Sequence, residues 1–113
     1  MKMAPDWSEQ AVERIAHRFK MLGEPTRLRI LFALLDGEHS CTELIRLTGV
    51  AQAALSRQLS LLTEGGLVSR RREGTQVWYR VADPALPAIT EMTVRSLQQR
   101  EQQLVRALAD ESR

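Results

Sequence analysis

The chain has a single cysteine, Cys41, in 113 residues. One thiol cannot form an intrachain disulfide, and a lone free cysteine fits a reducing compartment, so the cytoplasm is the expected location. No apolar run approaches the ~18 residues needed to cross a bilayer, and the first ten residues, MKMAPDWSEQ, lack the apolar centre of a signal peptide. The sequence therefore predicts no membrane association. Histidine is scarce, with only His17 and His39, and no linker, repeat or low-complexity tract interrupts the chain. No nucleophile–base pair, phosphate loop or catalytic metal motif is present, so the chain is not expected to be an enzyme or to carry a cofactor. Net charge is only +2, too little by itself to announce a polyanionic partner.

What is present is unevenly placed. Between residues 51 and 80 stand Arg57, Arg70, Arg71, Arg72 and Arg80 against Glu64 and Glu73, a larger surplus than that of the whole chain. A local basic patch is what phosphate binding requires. The length suits one small domain with a limited core, for which a partner subunit would add stability.

Apolar spacing divides the chain. Val12, Ile15, Ala16, Phe19 and Leu22 form one stripe of a first helix over residues 8–22. A second helix, 25–35, begins with Pro25 and is apolar nearly all round, which predicts a central, buried helix. Ser40-Cys41-Thr42-Glu43 has the form of a capping box and opens a third helix that stops at Gly49. A fourth helix, 51–64, turns Leu55, Leu59 and Leu62 inward and ends at Gly65-Gly66. The period then changes to that of strands at 67–72 and 76–81, joined by a turn at Glu73-Gly74-Thr75. Asp83-Pro84 starts a last helix to about residue 108, with a sparse stripe of Leu86, Ile89, Thr93, Leu97, Leu104 and Leu108. Trp78 and Tyr79 are neighbours on a strand, so one should face the core and the other the surface, where it could stack on a base. Met1, Met3, Met21 and Met92 are scattered and read as packing residues.

This order is mainly α with a β-hairpin: α-α-α-α-β-β-α in a single domain, with a helix-turn-helix at about 40–64 and a wing at about 67–81. The fourth helix reads AQAALSRQL on its first turns. Its outer side is small, polar and able to donate and accept hydrogen bonds, and that is what base edges in a major groove demand. A polar helix face is more often simply solvated. Here it comes with a capping box, a tight turn, a double glycine and an arginine-rich hairpin, and the combination points to double-stranded DNA.

Two segments, EPTRLRILFALLDGE and CTELIRLTGVAQAALSRQLSLLTEGGLVSRRREGTQVWYRV, resemble the ArsR/SmtB-type winged-helix repressors over about residues 19–86. The resemblance implies a homodimer held by the first and last helices (about 8–22 and 84–108). Such a dimer binds an imperfect inverted repeat and is released by an inducer that the sequence does not identify. Carried over by position, it assigns DNA binding to Gln52, Ala53, Ser56, Arg57 and Gln58, and to Arg71, Arg72, Thr75 and Gln76 of the wing. Ala51 stands where the family often has a capping Ser, and Gln58 where it often has His. The alternative function is a winged helix that engages proteins without reading DNA sequence.

The resemblance also sets expectations for a sensor. In arsenic- and cadmium-type members the third helix opens with a Cys-x-Cys pair. Here Ser40 and Thr42 occupy those positions and Cys41 lies between them. Zinc-type members carry histidines in the last helix, which here has only Asp83, Glu91 and Glu101 as candidates. Neither metal site is complete and none is expected, although Cys41 and His39 or His17 could join ligands of a second subunit. Persulfide-sensing members need two cysteines. What remains is Cys41 as a candidate thiol sensor, placed in the first turn of a helix where the dipole favours a thiolate, or as a small packing residue without a role.

Overall fold

Helix starts follow the local supply of hydrogen-bond acceptors. In a computed structural model describing residues 7–111, the elements are α1 (Glu9–Leu22), α2 (Pro25–Leu34), β1 (His39–Ser40), α3 (Cys41–Thr48), α4 (Gln52–Glu64), β2 (Val68–Glu73), β3 (Gln76–Val81) and α5 (Ala85–Glu111). Met1 and Met3, read above as packing residues, lie outside the described residues. Ser8 Oγ accepts from Ala11 N at 3.1 Å, and Ser40 Oγ accepts from Glu43 N at 3.3 Å. Before α2, Glu24 accepts from the amides of Thr26 (3.0 Å) and Arg27 (2.9 Å), with Pro25 at the position where a missing N–H costs nothing. Those backbone bonds, Thr26 first, hold the Glu24 carboxyl below the usual carboxylate value. Ala51 gives α4 no side-chain cap, as its methyl group must.

The expected capping box of α3 is half realised. Ser40 plays its part, but the Glu43 carboxylate reaches back to His39 Nδ1 at 2.6 Å.

The structure adds a strand that periodicity could not reveal. The sheet is antiparallel in the order β1-β3-β2. β1 pairs His39 with Tyr79 and Ser40 with Trp78. The β2–β3 ladder runs from Val68↔Val81 to Glu73↔Gln76, so the turn narrows to Gly74-Thr75, with Gly74 at φ +64°, a left-handed conformation that suits glycine.

The core is built by Ile30, Leu31 and Leu34 of α2, Leu44 of α3, Leu55, Leu59 and Leu62 of α4, and Leu67, Val68 and Tyr79. Helix α2 is central but not enclosed: Phe32 is 48% exposed and Leu35, just past its end, 36%. The stripe of α1 faces water in this single chain, with Val12, Ile15 and Phe19 exposed and Met21 buried. The chain divides at residue 82 into two units. The second contains α5, 27 residues long, three residues longer at its end than the sequence suggested, with Ile89, Leu97, Leu104 and Leu108 exposed.

Candidate nucleic-acid interface

Helices α3 and α4 are joined by Gly49, Val50 and Ala51. Gly49 has φ +73° and donates its amide to Ile45 O at 2.8 Å. A Cβ there would meet nothing within 4 Å, so the demand for glycine is conformational and not spatial. Val50 N donates to Thr48 Oγ1 at 3.2 Å, which closes the turn.

Three inward leucines fix the rotation of α4. With Leu55, Leu59 and Leu62 buried, Gln52, Ala53, Ser56 and Arg57 are all exposed, as the three- and four-residue period requires. None of Gln52, Ser56 or Arg57 has a side-chain partner among the described residues. Their donors and acceptors are therefore uncommitted, and the small Ala53 between them permits close approach. Gln58, grouped with them by sequence, is set apart. It is half-buried, and its Oε1 accepts from Arg27 Nη1 at 3.2 Å. Sequence reasoning passed over Arg27, which also donates from Nε to Met21 O at 2.8 Å and from Nη2 to Lys20 O at 3.3 Å. The signal was available: a cation on a largely apolar central helix needs partners.

The wing arginines are not equivalent. Register places Arg71 beside Trp78, and Arg70 and Arg72 beside Tyr79 and Val77 on the other face. Tyr79 is 9% exposed and supplies the core residue of the Trp78–Tyr79 pair. Arg72, Thr75 and Gln76 are exposed and have no side-chain partner among the described residues. All three nitrogens of Arg71 are engaged. Its Nε and Nη2 donate to the two oxygens of Glu38 at 2.8 and 2.9 Å, its Nη1 donates to Glu73 at 2.7 Å, and its guanidinium lies 5.9 Å from the Trp78 ring centroid. Arg71 in turn holds the Glu38 carboxyl below its ordinary value.

Residues 24–70 match the family described as bacterial regulatory protein, arsR family. The transcriptional regulator Rv0081 of Mycobacterium tuberculosis is 37% identical over 78 residues, 68% of each chain. Its crystal structure superposes with a TM-score of 0.79 over 87% of this chain and 99% of that one, at 31% identity. This chain belongs to the arsR family. Among other members, a biofilm growth-associated repressor of Xylella fastidiosa is 37% identical over 75 residues, 66% of this chain and 66% of its own. The chain thus spans just under two thirds of the length of that relative. A homodimeric winged helix-turn-helix DNA-binding domain from Mycobacterium bovis superposes with a TM-score of 0.73 over 88% of this chain and 92% of that one, at 29% identity.

In this arsR-family chain Cys41 and His39 stand together at the start of α3, whereas His17 lies on α1. Cys41 is the first residue of α3 and is half-buried. It lies against Tyr79, whose phenol is pushed above its ordinary value by burial first and by Cys41 second. His39 is clamped between Glu43 (2.6 Å) and Asp36 (3.0 Å), and these bonds, Glu43 first, raise its pKa above the usual imidazole value. Among the described residues no group of three or more His, Cys, Asp and Glu side chains is arranged to hold a metal ion. No helix among them is long and apolar enough to cross a membrane.

Proposed function

We propose that this protein is a homodimeric transcriptional repressor that binds an imperfect inverted repeat in double-stranded DNA and releases it on a small-molecule or thiol-directed signal. One observation carries the reading. The second helix of a helix-turn-helix buries three leucines and leaves Gln52, Ala53, Ser56 and Arg57 exposed and uncommitted beside an arginine-rich hairpin. Arg57 pairs with a guanine edge and Gln52 with adenine in the major groove. Arg72, Thr75 and Gln76 of the wing tip meet the phosphates or the adjoining minor groove.

Dimerisation is supported by two apolar stripes left in water by the single chain, Val12, Ile15 and Phe19 on α1 and Leu97, Leu104 and Leu108 on α5. Such surfaces are normally covered, and a repressor and a homodimer are among the relatives. Cys41 is the residue proposed to receive a thiol-directed signal, because its neighbour Tyr79 belongs to the wing strand β3.

Selection of genomic fragments by the reduced, metal-stripped protein tests this reading. Enrichment of one inverted repeat with half-sites about 34–36 Å apart supports it. Binding without sequence preference, or none, defeats it in favour of a winged helix that engages proteins.

A further inference from the structure

Arg71 spans the whole sheet. The strand order is β1-β3-β2. From β2, the Arg71 side chain passes over Trp78 of β3 and ends on Glu38, the residue immediately before β1. Its three nitrogens each meet a carboxylate oxygen at 2.7–2.9 Å, two on Glu38 and one on Glu73. A side-on, two-bond pairing of guanidinium and carboxylate is both strong and directional.

Glu38 and Glu73 more than neutralise Arg71, and with Arg80 acting on Glu38 from the same face the cluster as a whole is neutral, so it offers a phosphate little net attraction. Three of its five N–H groups are already committed to carboxylates, so a phosphate would have to compete with them for the same guanidinium. β1, in contrast, is held to β3 along only two residues, too short a ladder to fix the wing alone. Glu38 lies three residues ahead of α3, so the bond from Arg71 ties the wing to the start of the helix-turn-helix.

We propose that Arg71 is a positioning residue, which locks the wing against the segment leading into α3 through Glu38 and does not itself contact DNA. Its effect on affinity rests on the DNA-binding reading above, whereas the lock stands on the geometry alone. Arg72, on the opposite face and without a partner among the described residues, supplies the phosphate contact.

The test compares Glu38→Gln, Arg71→Gln, Arg71→Lys and Arg72→Gln. DNA affinity is measured over a range of salt, and amide hydrogen exchange of the β2–β3 hairpin is measured in the free protein. A lock predicts that Glu38→Gln and Arg71→Lys weaken binding about three- to tenfold, as Arg71→Gln does, at unchanged salt slope and with faster hairpin exchange. Arg72→Gln instead lowers the salt slope by about one. The proposal is overturned if Glu38→Gln tightens binding, Arg71→Lys binds like the parent, or Arg71→Gln lowers the slope by about one. Failure of the parent protein to bind any DNA would sink the repressor reading alone. Hairpin exchange would still decide the lock: faster in Glu38→Gln and Arg71→Gln supports it, unchanged refutes it.

Discussion

Arg27 of α2 donates to Gln58 of α4 at 3.2 Å while its other nitrogens hold Met21 O and Lys20 O at the end of α1. One side chain thereby keys the back of the proposed reading helix to the α1–α2 junction. Arg27→Ala removes all three bonds, and Lys20 O keeps its bond from Gly23 N while Met21 O and Gln58 lose their Arg27 donor, so chemical denaturation should register a loss of about 1–2 kcal/mol. Gln58→Ala should cost less, and a double-mutant cycle should return a coupling of about 0.5–1 kcal/mol between them. Strict additivity would show that the contact carries no energy.

Arg57 is exposed on the polar side of α4. Arg57→Ala should narrow the gap between the preferred repeat and random DNA by about 1–3 kcal/mol, because the proposed base contact is removed. Competition binding with specific and random duplexes checks this. An equal loss on both duplexes would move Arg57 from base to phosphate.

Cys41 adjoins Tyr79, which pairs with His39 of β1 and Arg70 of β2. A bulky adduct on the half-buried thiol crowds Tyr79 of the wing strand. Alkylation with iodoacetamide should weaken DNA binding about tenfold, and Cys41→Ser should be indifferent to the reagent. A serine variant that still releases DNA on treatment would place the reactive group elsewhere.

His39 gives stability a pH dependence of definite sign. Its folded pKa is raised by Glu43 and then by Asp36. The stabilisation is therefore complete below the unfolded value of about 6.5 and fades as pH rises through the folded value. Thermal denaturation of parent and His39→Asn should differ more near pH 6 than near pH 8.5. The excess should be at most about 1 kcal/mol, since the His39 side chain is 19% and Asp36 78% exposed. An equal difference at both pH values would mean that the two bonds do not depend on the imidazolium.

The helix-turn-helix was legible because its boundaries are set locally, by Ser40, Gly49 and Gly65-Gly66, and its orientation by the period of Leu55, Leu59 and Leu62. The cap of α2 was hidden because Glu is not among the favoured capping residues. β1 was hidden because two residues carry no period. Arg27 with Gln58 and Arg71 with Glu38 are 31 and 33 positions apart, beyond the reach of any local pattern. Gln58 shows the limit well: it sits between the inward Leu55 and Leu59, at the border of the polar face, and only the opposing Arg27 decides which way it turns.

Ser40 closes the sheet against Trp78 and, in the next peptide, caps α3. No loop separates β1 from α3, and with the Arg71–Glu38 bond added to the two-residue ladder the hairpin and the helix-turn-helix are held as one bracket. In the proposed complex such a bracket meets DNA already set. Little chain entropy remains to be lost on docking, and the two arms cannot adapt separately to a half-site of the wrong width. The same stiffness makes the bracket easy to disarm. A displacement at the Ser40 joint is carried to both arms at once, and complementarity to the groove is lost without any element having to unfold.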